Sequence, residues 1–155
     1  KVLTLLTETG CKDSELYFKA TTNLYKSYPS AASAAQLAEM NVARKKYNEA
    51  EKYYTEAIEL EKDNLVKSGL LTKLATLEMA SDSKQAARDF AKAAYSLDPT
   101  NGYALFIIAE SYAGARIGEA FENQTVYWVV VDYLIRARNT DPTLKEQIDE
   151  RIAVC

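Results

Sequence analysis

Apolar residues recur three or four positions apart along almost the whole chain, broken at short intervals by Gly, Pro or Asx, and no segment alternates with a period of two. That pattern predicts an all-α protein. A short helix is expected over about 2–9, stopping at Gly10. A second, capped by Asp13 or Ser14, turns Leu16, Tyr17, Ala20, Leu24 and Tyr28 inward and ends at Pro29. Further helices are expected over about 30–44, 47–62, 64–80, 82–97, 102–117 and 124–139, with Asp82 and Gln85 at capping-box spacing. After Pro142 a last helix carries Leu144, Ile148 and Ile152 on one stripe. About nine helices make four hairpins and one more.

Three segments repeat one another: YNEAEKYYTEAIELEKDN at 47–64, AARDFAKAAYSLDPTN at 86–101 and VVVDYLIRARNTDPT at 129–143. The first places a small residue, a large one four later, a small one three later and a closing residue five after that; the second keeps the small residues and proline but loses the aromatic, and the third enlarges the first small residue with the frame intact. The frames are Ala50, Tyr54, Ala57, Lys62; then Ala87, Ala91, Ala94, Pro99; then Val130, Leu134, Ala137, Pro142. Ala50 and Ala87 are 37 positions apart, Ala87 and Val130 43. The preceding helices carry a large–small pair each, Leu37–Ala38, Leu74–Ala75 and Ile108–Ala109, and Tyr112 follows the last. Physically, these are the positions where antiparallel helices approach closely.

In these frames the chain resembles the tetratricopeptide-repeat (TPR) superfamily, whose second helices carry the small–large–small–proline pattern and whose period is about 34 residues. The resemblance implies a right-handed solenoid of antiparallel hairpins filling 1–155: a divergent hairpin over 1–29, repeats at about 30–64, 65–101 and 102–142, and an extra helix at 143–155. That helix either opens another repeat or caps the stack. The stretch EAFENQTVYWVVVDYLIRARNTDP also resembles uncharacterised exported bacterial TPR proteins, which implies an extracytoplasmic setting and a chain continuing past Cys155.

First helices of TPR hairpins line a concave groove. The resemblance therefore implies contacts at Ala35, Glu39 and Val42, at Thr72, Thr76 and Met79, and at Tyr103, Phe106 and Glu110, with Lys73 the basic residue nearby. The Lys–Asn–Arg clamp of adaptors that grip acidic chaperone tails is missing. A polypeptide with aromatic or basic side chains suits the surface better. The role implied is a non-catalytic module binding a protein or peptide. The alternative is a spacer or docking segment of a larger envelope protein that makes its contacts through outer helix faces and the ends of the stack; for Tyr103 and Phe106 themselves, the alternative to groove contact is packing under a loop or the final helix.

Composition narrows the chemistry. With 22 acidic against 19 basic residues and a net charge of −3, no electrostatic footprint for nucleic acid is present. Histidine is absent, which removes the commonest general base and metal ligand. No phosphate-loop, metal or nucleophile spacing occurs, so neither an enzyme nor a cofactor is expected. Glu49, Glu51, Glu56, Glu59 and Glu61 interleave with Lys52 and Lys62 as on a solvated helix face. No run is long and apolar enough to cross a membrane. Cys11 and Cys155, near opposite ends, are not expected to pair. Trp128 is expected in the core, one of Tyr53 and Tyr54 inside its hairpin, and Phe121 either stapling the insertion between Tyr112 and Val130 or meeting a partner. The chain opens at Lys1 without methionine and reads as a piece of a longer product.

Overall fold

A computed structural model describes residues 14–113 and 120–154; the expected helix at 2–9, Cys11, Cys155 and the side chain of Phe121 lie outside the described residues. Among the described residues there are eight α-helices and no strand. In chain order they are α1 (Glu15–Ser27), α2 (Ala31–Ala43), α3 (Tyr47–Leu60), α4 (Asn64–Ala80), α5 (Lys84–Leu97), α6 (Gly102–Tyr112), α7 (Ala120–Thr140) and α8 (Lys145–Ala153), with a 3-10 turn at Pro142–Leu144 before the last.

Helix starts follow local chemistry. The Ser14 hydroxyl accepts from Tyr17 N–H, Asp63 from Leu65 and Val66 N–H, and Asn101 from Ala104 N–H. Ser30 and Ser33 form a reciprocal capping box. The box expected at Asp82 and Gln85 does not form: α5 starts two residues later, Asp82 takes a left-handed φ of 60°, and Gln85 bonds Asp89 instead. Lys45, in the turn between α2 and α3, has the matching φ of 58°. In both turns the amide after the left-handed residue donates back to a carbonyl near the end of the first helix, Lys46 to Asn41 and Ser83 to Glu78, each at 2.9 Å. The two turns share one geometry although their sequences differ.

Packing divides the chain into residues 1–62 and 63–155. In the first unit α2 and α3 form a hairpin, closed at Ala34, Leu37, Ala38, Ala50 and Ala57, all fully buried. Helix α1 lies against it, but through only part of the stripe expected. Tyr17 and Thr21 are buried, whereas Leu16, Leu24 and Tyr28 are exposed. Polar chemistry explains the rotation: the Tyr17 hydroxyl accepts from Gln36 on α2, the Tyr25 hydroxyl donates to Glu56 on α3, and Tyr25 meets the Tyr53 ring edge-on at 5.8 Å. Arg44 lies 4.2 Å from the centre of the Phe18 ring.

The second unit pairs α4 with α5 and α6 with α7, and α5 packs on α6. Ala75, Ala87, Ala91, Ala94, Ala109 and Ala137 are all at 0% exposure, so alanine marks the helix crossings. Leu74, Leu105, Ile108 and Leu134 fill the space between them. Helix α8 closes onto α7 through Ile148, fully buried, with Leu144 and Ile152 beside it, as the expected stripe requires. Lys84 and Arg88 of α5 donate to the carbonyls of Ala113 and Ser111 at the end of α6, where positive charge complements the helix dipole. Arg88 also lies 3.7 Å from the Tyr112 ring centre, and Tyr112 stacks on Tyr133.

Two turns in this unit repeat one device. Asp98 accepts from the backbone and hydroxyl of Thr100, and Asp141 does the same with Thr143, so each Asp-Pro-Thr sequence folds the chain identically after a second helix. Past the first, Asn101 caps α6 while its amide donates to Ser68 and Thr72 of α4, each at 2.9 Å, and Ser68 donates to the Ala94 carbonyl. Asn101 and Ser68 together thus tie three helices. Next to it, Gly102 lies so close to the end of α7 that a Cβ there would fall 2.5 Å from Asp141 Cβ and 2.9 Å from the Ala137 carbonyl oxygen.

Gly102→Ala therefore should cost roughly 1–3 kcal/mol, and Ala109→Phe at least as much, in urea-unfolding measurements. Lys92→Ala, on the exposed side of α5, should stay within about 0.5 kcal/mol of the parent. Ala109→Phe with unchanged stability would contradict the crossing geometry.

Candidate functional site

The residues expected to line a groove fall in both units. Glu39 is on α2 in the first; Lys73, Thr76 and Met79 on α4 and Tyr103, Phe106 and Glu110 on α6 are in the second. Within the second unit α4 and α6 touch directly, and two short connections through α5 make them run in the same direction. Their shared face is therefore a strip two helices wide.

On that strip Lys73 and Thr76 are exposed, Met79 half-buried, and Thr76 spends its hydroxyl proton on the Thr72 carbonyl. Thr72, expected as a contact, is instead buried and bonded to Asn101, because the hydroxyl at that turn of α4 points toward the next repeat. Tyr103 is 37% exposed and stacks on Phe106, ring centres 5.7 Å apart. Phe106 is half-buried against the core beneath, so the outer ring rests on an inner one. The stack holds Tyr103 rigidly at the surface, as an anchor side chain requires.

Glu110 closes the far end of α6. Its carboxylate receives Arg151 of α8 at 2.7 Å, both side chains about one-quarter exposed, and Asp149 of α8 pairs with Arg138 of α7 at 2.6 Å. The final helix thus reaches the α6 face at Glu110 and leaves Tyr103, at the opposite end, open. Sequence spacing alone could not show that pairing, since the partners lie 41 residues apart.

In the first unit, Leu24, Ser30, Ala32, Ser33, Ala35, Gln36 and Glu39 line an open cleft of about 420 Å³ between α1 and α2. Ala35 and Glu39 are thus brought together as expected, while Val42 is half-buried outside this lining. Trp128, expected in the core, is 66% exposed. The inward face of α7 is already filled by Val126, Val130, Leu134 and Ala137, which leaves the tryptophan on the opposite side. Among the described residues no group of three or more acidic or sulfur ligands could hold a metal, and every buried side-chain polar atom has a partner. No described helix is long and apolar enough to cross a membrane.

No family profile and no curated protein matches the chain by sequence. Solved structures do resemble it. The crystal structure of MamA aligns with a TM-score of 0.70 at 15% identity, covering 92% of this chain and 75% of that one. The Arabidopsis OM64 TPR domain aligns with a TM-score of 0.63 at 18% identity, covering 79% of this chain and 93% of that one. The fold is TPR-like, a solenoid of helical hairpins, as the repeat frames imply.

Two tyrosines in the first unit are held protonated. Burial, with Glu39 adding repulsion, pushes the Tyr54 hydroxyl up to about 12, and the hydrogen bond to Glu56, with burial, does the same for Tyr25. Both acids are weaker folded than unfolded, so the stability they contribute is complete below about pH 10 and is lost as pH rises toward 12. Thermal midpoints followed from pH 9 to 12 should fall over that interval, and the fall should be shallower in a Tyr25→Phe, Tyr54→Phe double variant. An unchanged slope would contradict the assignment.

Proposed function

We propose that the chain is a non-catalytic protein-interaction module that binds a polypeptide along the α4–α6 face, with Tyr103 as its anchor. The observation that carries this reading is the Tyr103–Phe106 stack: a partly exposed aromatic ring braced by a second ring rooted in the core. An anchor that gives up little freedom on binding contributes more than a mobile one of the same area. Lys73 and Thr76 on α4 supply polar contacts flanking it, and the TPR-like fold supports a protein or peptide as the ligand. Glu39 and the α1–α2 cleft are a second candidate contact region on the first unit. Absence of histidine supports the non-catalytic reading.

A second reading, contact through outer helix faces as in a docking or spacer segment, is favoured by one observation, the 66% exposure of Trp128 on α7. The readings separate experimentally. Phe106 should be left intact, since it packs in the core; a Lys73→Glu, Tyr103→Ala variant alters only the surface strip. In quantitative affinity capture from native lysate, a protein retained by the parent and by Trp128→Glu, but reduced at least about tenfold by the double variant at equal thermal stability, is the expected result. Equal capture by parent and double variant overturns the proposal for the α4–α6 face.

A further inference from the structure

The outward side of α7 carries the most exposed large aromatic residue among the described residues of the second unit. Trp128 is 66% exposed, with Tyr127 at 43% and Ile135 at 39% beside it on the same helix. Nothing in the fold requires them to be apolar, because the buried side of α7 is already complete. At 100° per residue, Gln124, Trp128, Ile135 and Asn139 fall within an arc of about 60°. Their spacings are four, seven and four residues, so the stripe reads amide, large apolar, large apolar, amide from either end.

We infer that this face of α7 is a self-association surface, and that its occupant is a second copy of this chain packed antiparallel about a two-fold axis between Trp128 and Ile135. An isologous contact requires a surface complementary to itself. Here the reversal of α7 onto a copy places each Trp128 against Ile135 of the second copy, and each Gln124 amide against Asn139 of the second copy. An unrelated partner would impose no such symmetry.

Charge permits the contact. The rim holds Asp132 and Arg136, 3.8 Å apart and neutral as a pair, so two copies approach without net repulsion from this face. Area also fits. Tyr127, Trp128 and Ile135 expose apolar surface on the order of 300–400 Å² at these fractions. A standard interface takes about 800 Å² from each partner, a little over half of it apolar. The patch supplies most of that apolar share, and the amides, Asp132 and Arg136 supply the polar remainder. The surface lies on α7, away from Tyr103 on α6, and does not depend on the polypeptide-binding reading.

The test is sedimentation velocity on the full chain over a hundredfold concentration range reaching about 1 mM, read together with the emission of Trp128, the single tryptophan. The parent should show a concentration-dependent monomer–dimer equilibrium, with emission moving to shorter wavelength as the dimer forms. Trp128→Glu and Ile135→Glu should each raise the dimer dissociation constant at least about thirtyfold while helicity is retained, the effect expected of central interface residues. Leu65→Glu, a change at a comparably exposed apolar residue on α4, should leave it unaltered. A parent that stays monomeric across the range, or a dimer indifferent to both α7 substitutions, overturns the inference. So does a dimer broken equally by Leu65→Glu.

Discussion

Close helix approach at alanine-sized contacts is the constraint on which the other features depend. Ala38, Ala50, Ala57, Ala75, Ala87, Ala91, Ala94, Ala109 and Ala137 are all completely buried, and each lies where one helix passes another. A larger side chain at such a crossing separates the axes, and separation empties the space now filled by Leu37, Leu74, Ile108 and Leu134. Gly102 takes the same logic to its limit, with no room for even a methyl group. Hairpins built this closely have little freedom in how they stack, and so the outward positions of each helix are fixed as well.

Polar groups then set register where alanine sets distance. Asn101 combines a helix cap with two hydrogen bonds to α4, so a slip of α6 by one residue would break all three interactions. The Asp-Pro-Thr turns at Asp98 and Asp141 stop α5 and α7 at equivalent points of their hairpins. Lys84 and Arg88 neutralise the end of α6. These interactions contribute modestly one by one, but each is satisfied in only one arrangement of the helices.

What stays at the surface is what helix packing does not bury. On the α4–α6 face the exposed residues are Lys73, Thr76 and Tyr103, the last steadied by Phe106. On α7 they are Tyr127, Trp128 and Ile135. The two surfaces differ in kind: one is a mixed strip with a single braced ring, the other an apolar stripe between amides.

The sequence by itself determined the helical class, nearly every helix and the residues at the crossings, because close packing can be met only by small residues at fixed intervals, and that periodicity is written along the chain. Ala50, Tyr54, Ala57 and their counterparts in the two later frames are all buried as their spacing demands. Only the tertiary structure decided which apolar residues stay outside and which polar residues go in. Trp128 and Leu16 are apolar and exposed, while Thr72 is polar and buried, since burial depends on whether a neighbouring helix already fills the space. The link from Arg151 to Glu110, and the bonds from Tyr17 and Tyr25 that rotate α1 away from its apolar stripe, join residues far apart in the chain. Local patterning records how a helix meets its immediate partner; it does not record which side of that helix the rest of the fold will leave open.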